Sequence, residues 1–286
     1  MSGVGRLQRF KVRIDHILPQ AWTLCLTGIL IICLEETGAQ RELLTMFPET
    51  PVGASLNSLV FILPLFLAAT TVCLLIKTER IGLVKFLVRV SLVSVTFSLI
   101  LWYAWRILEA ASVYFSDPYP SVIIVASITS AILYCMYKRG GLTRALSMAS
   151  VGALIGSFLA HSIPFLSAVT LLGALVVYDI LSVYKGPIGR LVKSGDLRDL
   201  AGAVFTVRDV DIGMGDVAFY SMLVSVALLD FGISCYLLSS LGTLLGAYLG
   251  IRVLETRDYF PGLPLAISIG LFMMFTSALL AGQLVW

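Results

Sequence analysis

Gly213-Met214-Gly215-Asp216 stands at the head of a long apolar run, residues 217–229, and places a carboxylate where the chain otherwise turns strongly hydrophobic. An acid facing hydrocarbon is costly, so it needs a partner or a task. A second acid, Asp179, occupies a comparable place inside the apolar run 164–184. Both the fold and the chemistry of the chain turn on whether these two carboxylates meet.

The surroundings of the motif are those of a membrane protein. Hydrophobic residues make up 58% of the 286 positions and charged residues only 13%, with a mean hydropathy of +0.96. Soluble domains carry about 25% charged residues. The net charge of +3 is small and its basic residues fall in short loops, which argues against a nucleic-acid surface. The five cysteines, Cys25, Cys33, Cys73, Cys135 and Cys235, lie within apolar runs, with no Cys-x-x-Cys pair and no metal-ligand spacing. They read as small apolar packing residues. His16 and His161 fall at span edges, where interface residues are expected, and no metal site is expected.

A crossing helix needs about 20 mostly apolar residues. Nine stretches qualify, at 18–34, 56–76, 84–103, 122–137, 145–159, 164–184, 217–230, 233–251 and 263–285. The seventh is long enough only if it begins at or before the glycine motif, which puts Asp216 inside the membrane. The expectation is an all-α polytopic membrane protein. It forms a single membrane-embedded domain, 1–286, with spans one to five in 1–160 and spans six to nine in 161–286.

Charge placement tests the count. One side collects Arg6, Arg9, Lys11 and Arg13, then Lys77, Arg80, Lys85 and Arg89, then Lys138, Arg139 and Arg144. It also takes Lys185, Arg190, Lys193, Arg198 and Arg208, with Arg252 and Arg257, making 18 of the 20 Lys and Arg. The other side keeps Arg41 and Arg106 beside Glu35, Glu36, Glu42, Glu49, Glu109 and Asp117. The positive-inside bias predicts a cytoplasmic N-terminus and an outside C-terminus. The basic start, the first apolar stretch and Thr37-Gly38-Ala39 have the outline of a cleavable signal peptide. The long basic segment and the acids crowding that site favour a retained span.

The sixth span runs outside to inside and the seventh returns. Asp179 lies six residues before Lys185, and Asp216 lies five residues after Asp211. At about 1.5 Å per helical residue, both acids sit roughly 8–9 Å below the cytoplasmic edge. Sequential antiparallel spans are often neighbours, so the carboxylates are expected to face each other. Two buried carboxylates in contact do not both ionise cheaply and tend to share one proton. That is the state in which one member draws a proton from water while the other polarises a carbonyl.

Two further stretches bear on the site. Gly213 and Gly215 remove side chains beside Asp216, leaving room for a second backbone or loosening the helix start. Pro261-Gly262-Leu263-Pro264 interrupts regular helix start-up, as either a plain interfacial cap or backbone lining a wet cavity. In the longest connection, 185–212, residues 203–207 have strand-forming composition. They read as a short interfacial element or as an edge for an extended substrate. No internal repeat is visible.

Together these stretches resemble the presenilin and signal peptide peptidase family of Gly-x-Gly-Asp intramembrane aspartyl proteases. Tyr178-Asp179 is similar to the family's Tyr-Asp motif on the sixth span, and Gly213-Met214-Gly215-Asp216 to its motif on the seventh. Pro261-Gly262-Leu263-Pro264 is similar to its Pro-Ala-Leu motif, with Gly262 where alanine is usual. The resemblance implies Asp179 and Asp216 as the catalytic pair, with Tyr178, Gly213, Met214 and Gly215 supporting them. It assigns Pro261, Gly262, Leu263 and Pro264 to shaping the site and binding substrate, and gives 203–207, or the residues just before Gly213, a role in pairing with an extended substrate. The derived orientation is similar to presenilin and opposite to signal peptide peptidase. The compact connection is similar to microbial homologues acting without accessory subunits. The partners implied are transmembrane polypeptides and the lipid bilayer, with no cofactor and no nucleic acid, in the plasma membrane if the source is prokaryotic. Two other readings compete. Prepilin and preflagellin peptidases also use Gly-x-Gly-Asp but are expected to have fewer spans. A cation- or proton-coupled transporter pairs intramembrane acids but usually shows inverted repeats.

Overall fold

The computed structural model describes residues 11–38, 41, 43–110, 119–184, 204–257 and 260–283. Several sequence readings lie outside the described residues, namely Arg6, Arg9, Ala39, Glu42, Asp117, Ala203, the four basic residues between 185 and 198, the end of the last span at 284–285, and the side chain of Cys73. A short 3-10 turn, Ile14–His16, precedes α1, Leu18–Glu36. There follow α2, Pro51–Lys77, α3, Ile81–Ala110, α4, Tyr119–Lys138, α5, Gly141–Ser162, and α6, Phe165–Tyr184. A hairpin of β1, Val204–Val207, and β2, Val210–Gly213, leads into α7, Met214–Leu254, and α8, Leu263–Leu280, completes the bundle.

Among the described residues, eight helices are long and apolar enough to cross a membrane. Two expected spans, 217–230 and 233–251, fall within α7, which runs for 41 residues. At 1.5 Å per residue such a rod would measure about 60 Å, twice a hydrocarbon core. It is not one rod. Gly232 takes φ 80° and ψ −172°, outside helical geometry. A side chain at positive φ is strained, so glycine suits the break.

The contacts of α8 show that the chain reverses at Gly232. On the first leg of α7, Asp216 and Tyr220 meet Gly262, and Leu223 meets Gly270, so this leg runs parallel to α8. On the second leg the order is opposite. Cys235 meets Ser277, Ser239 meets the Gly270 carbonyl, and Gly246 meets Leu265 and Ala266. The second leg is therefore antiparallel to α8 and to the first leg.

Small residues set these approaches, as membrane helices require in the absence of a hydrophobic drive between them. A Cβ on Gly246 would lie 2.4 Å from the Leu265 carbonyl oxygen and 2.5 Å from the Ala266 Cα. Both atoms are backbone, so neither can turn aside. Gly246→Val is expected to part α7 from α8 and to destabilise the protein by about 2–3 kcal/mol. A lowered Tm in thermal unfolding of the detergent-purified variant is the check, and an unchanged Tm would count against this packing.

The main core gathers α1, α5, α7 and α8 through Ile31, Leu34, Leu154, Met222, Leu223, Ile267 and Met274. Buried hydroxyls stitch it, with Thr27 and Ser221 at 2.7 Å. Large side chains on α2 (Leu63, Phe66, Leu67) and on the second leg of α7 (Leu237, Leu241) point outward. That pattern suits a lipid-facing surface.

A second core lies at the hairpin end. Phe205, Val207, Val210 and Ile212 face inward onto Met148, Ala149, Val217 and Ile251, while Thr206 and Asp211 face out and hydrogen-bond at 2.6 Å. The register pairs Phe205 with Ile212 and Val207 with Val210. The strand composition read at 203–207 is therefore realised over Val204–Val207, against a partner strand that ends on the glycine motif. Arg208, at φ 55°, forms the turn with Asp209 and pairs with Asp15. The Val12 amide donates to Glu255 at 2.7 Å. His16 and His161 sit at helix ends, as expected, and are enclosed by protein. Burial, aided by the nearby Arg208 guanidinium, holds the His16 imidazole below its ordinary value. At the opposite end of the bundle Arg41 pairs with Asp230 at 2.8 Å, and Glu49 accepts from the Leu166 amide.

Candidate active site

The hairpin delivers Asp216. Strand β2 ends on Gly213, whose extended φ −72° and ψ 133° let the chain turn from strand into α7. Asp216 then falls in the first helical turn, where the helix dipole favours negative charge. Asp179 projects from the last part of α6. Both carboxylates are half-buried.

The start of α8 lies between them. Leu263 is the first residue of α8, so its amide has no partner within the helix, and Pro264 follows without an N–H. The Leu263 N–H donates to Asp179 Oδ2 at 3.0 Å. On the other side, a Cβ on Gly262 would come within 2.4 Å of Asp216 Oδ2 and 3.0 Å of its Cγ. One peptide, 262–263, is thus flanked by both acids, and the two lie within electrostatic reach of each other. Pro261 and Leu263 are buried and anchor the segment.

The other residues singled out in the sequence are placed as follows. Tyr178 turns toward α2, edge-to-face with Phe66 at 6.4 Å. Met214 packs on the hairpin core. Gly215 is exposed, with nothing within 4 Å of a Cβ added there. The atoms nearest a Cβ on Gly213 would be those of the Asp216 carboxylate, the first at 3.3 Å. Gly213 and Gly215 therefore leave Asp216 open on their side, with no second backbone of this chain among the nearest described atoms. The close approach is made at Gly262 instead, because α8 rather than the strand end packs against the acid. Sequence reasoning missed Tyr220, which is 3% exposed and donates its hydroxyl to the Gly262 carbonyl at 2.9 Å. Its spacing of four residues from Asp216, one helical turn, was the available signal.

Comparison with known proteins gives the family and the fold. The family model described as signal-peptide peptidase, presenilin aspartyl protease matches residues 24–188, more than half of the chain. The chain belongs to that family. The matched segment contains Asp179 and stops short of the Gly213 motif. Two solved structures share the fold, both described as a presenilin family intramembrane aspartate protease. One, in space group C222, superposes with a TM-score of 0.64 at 18% identity over 93% of this chain and 98% of that chain. The other, in space group P2, gives 0.63 at 19% identity over 96% of this chain and 100% of that chain. No curated protein matches. The chain is an aspartic intramembrane peptidase of this family and an integral multi-pass membrane protein. Family membership favours this over the prepilin-peptidase and transporter readings.

Proposed function

We propose that the chain hydrolyses peptide bonds within the transmembrane segments of single-span substrates, with Asp179 and Asp216 as the reacting pair. The observation that carries this is the flanking of one peptide, 262–263, by both carboxylates. The ionised member takes a proton from water, and the resulting hydroxide adds to the scissile carbonyl carbon. The protonated member gives its proton to the carbonyl oxygen. The gem-diol then collapses, the C–N bond breaks, and the leaving nitrogen takes up a proton. No covalent enzyme adduct forms, and no cofactor is called for.

Pro261, Gly262, Leu263 and Pro264 form one wall of the site and bind substrate. Gly213, Met214 and Gly215 carry Asp216, and Tyr178 supports Asp179 from the α2 side. The hairpin offers strand edges to an unwound substrate segment. Counting the legs of α7 separately gives nine crossings in one membrane-embedded domain, 1–286. The N-terminus is cytoplasmic and the C-terminus outside, so the site opens toward the cytoplasm. The reversal at Gly232 supports that count. So does the placement of Asp15, Arg208 and Glu255 at the site's end and Asp230 at the other. The orientation fits substrates whose N-terminus lies outside, handled in the plasma membrane if the source is prokaryotic, with no obligatory accessory subunit.

The test is incubation of the purified protein with an isotopically labelled single-span substrate in liposomes made in H2-18O, with product termini mapped by mass spectrometry. Cuts inside the span carrying one 18O in the new carboxylate are expected. Ion uptake without cleavage would overturn the reading.

A further inference from the structure

We propose that Tyr220 is a positioning residue for peptide hydrolysis, holding the 262–263 peptide so that its N–H stays aimed at Asp179. This rests on Asp179 and Asp216 being the reacting pair. Tyr220 lies one helical turn beyond Asp216 on the first leg of α7. Helical side chains lean back toward the N-terminus, which returns the Tyr220 hydroxyl to the level of Asp216. There it donates to the Gly262 carbonyl at 2.9 Å. The other end of the same peptide, the Leu263 N–H, donates to Asp179 Oδ2 at 3.0 Å. No peptide bond among the described residues is cis, and in a planar trans peptide the C=O and N–H point opposite ways. Fixing the carbonyl therefore fixes the direction of the N–H.

The peptide plane spans the space between α7 and α6, held by a hydroxyl on one side and a carboxylate on the other. The Tyr220 hydroxyl has a single proton, and it is committed to Gly262. Tyr220 is for that reason a positioning group rather than a proton donor to the reaction. Without its hydroxyl, only van der Waals contact with Asp216 steadies the α7 side of the peptide, and the plane is free to tilt. Tilting draws the N–H off Asp179 and moves the wall that both acids share.

The experiment compares Tyr220→Phe with Tyr236→Phe in the full chain reconstituted in liposomes. Tyr236 is also buried and also donates its hydroxyl to a backbone carbonyl, that of Leu24, at 2.7 Å, but it lies on the second leg of α7. Each variant loses one buried hydrogen bond, so similar small falls in Tm are expected. For Tyr220→Phe, kcat toward the labelled single-span substrate is expected to fall about 10- to 100-fold, with KM changed less than about twofold. Its affinity for a hydroxyethylene transition-state analogue should fall in parallel. Tyr236→Phe should keep wild-type kcat. A Tyr220→Phe enzyme with wild-type kcat would overturn the proposal, and so would an equal loss in Tyr236→Phe. Weak folding of Tyr220→Phe does not remove the test, because analogue affinity reports on the folded fraction; wild-type affinity there would also overturn it. Cleavage by Asp216→Asn, by contrast, would strike at the catalytic pair itself.

Discussion

Exchange of either Asp179 or Asp216 for asparagine is expected to abolish cleavage of a transmembrane reporter, a loss of at least about 10³-fold, with Tm little changed. Each carboxylate is assigned a proton transfer, and such transfers contribute about 10²- to 10⁴-fold. Asparagine isolates that contribution because it keeps the shape. At 179 its side-chain oxygen still accepts from the Leu263 amide. At 216 it still fits the space beside Gly262. What it lacks is the ability to take a proton from water or to share one with a partner. Alanine at either position should be equally inactive, with an added cost at 179 where the Leu263 amide loses its acceptor. Product mapping by mass spectrometry is the readout, and cleavage retained in either variant would sink the assignment of the pair.

Gly262→Val is expected to cost about 100-fold in kcat while lowering Tm only slightly. The backbone at Gly262, φ −75° and ψ −40°, suits any residue, so glycine is there for space and not for conformation. The space is taken by Asp216, whose Oδ2 would lie 2.4 Å from an added Cβ. Ordinary contact is about 3.5 Å, so the carboxylate must retreat by roughly 1 Å. A displacement of that size costs on the order of 10² in rate. The displaced group is the end of a side chain rather than backbone, which is why stability should hold where Gly246→Val does not. Alanine brings the same Cβ, so Gly262→Ala is expected to show most of this loss already. Wild-type kcat in Gly262→Val would mean that the Asp216 carboxylate does not work from beside Gly262.

The candidate site was legible where charge marks depth. Lys185 and Asp211 bound the loop between the two acids, so residue counting puts Asp179 and Asp216 at one level, and the structure brings both to the same peptide. Pro261 and Pro264 announced irregular backbone, and the freed Leu263 amide is its product. The hairpin was half legible. Its first strand had the right composition, but the second merged into the glycine motif, and its turn is Arg208-Asp209 rather than a glycine pair. Tyr220 was hidden because an aromatic in an apolar run reads as packing until its hydroxyl is seen to have an acceptor. Helix ends read short, as at 84–103 against Ile81–Ala110, because Arg106 and Glu109 look like loop residues by composition.

The Gly262–Leu263 peptide also sets a clock. Leu263 follows Asp179 by 84 residues, and chains are made from the N-terminus at about 5–20 residues per second. For roughly 4–17 s after Asp179 leaves the ribosome, its eventual partner does not exist. Asp216 likewise waits for Gly262. On the proposed assignment of the pair, a nascent chain that already holds both acids still lacks the wall between them, and it is expected to stay inactive until the last helix docks.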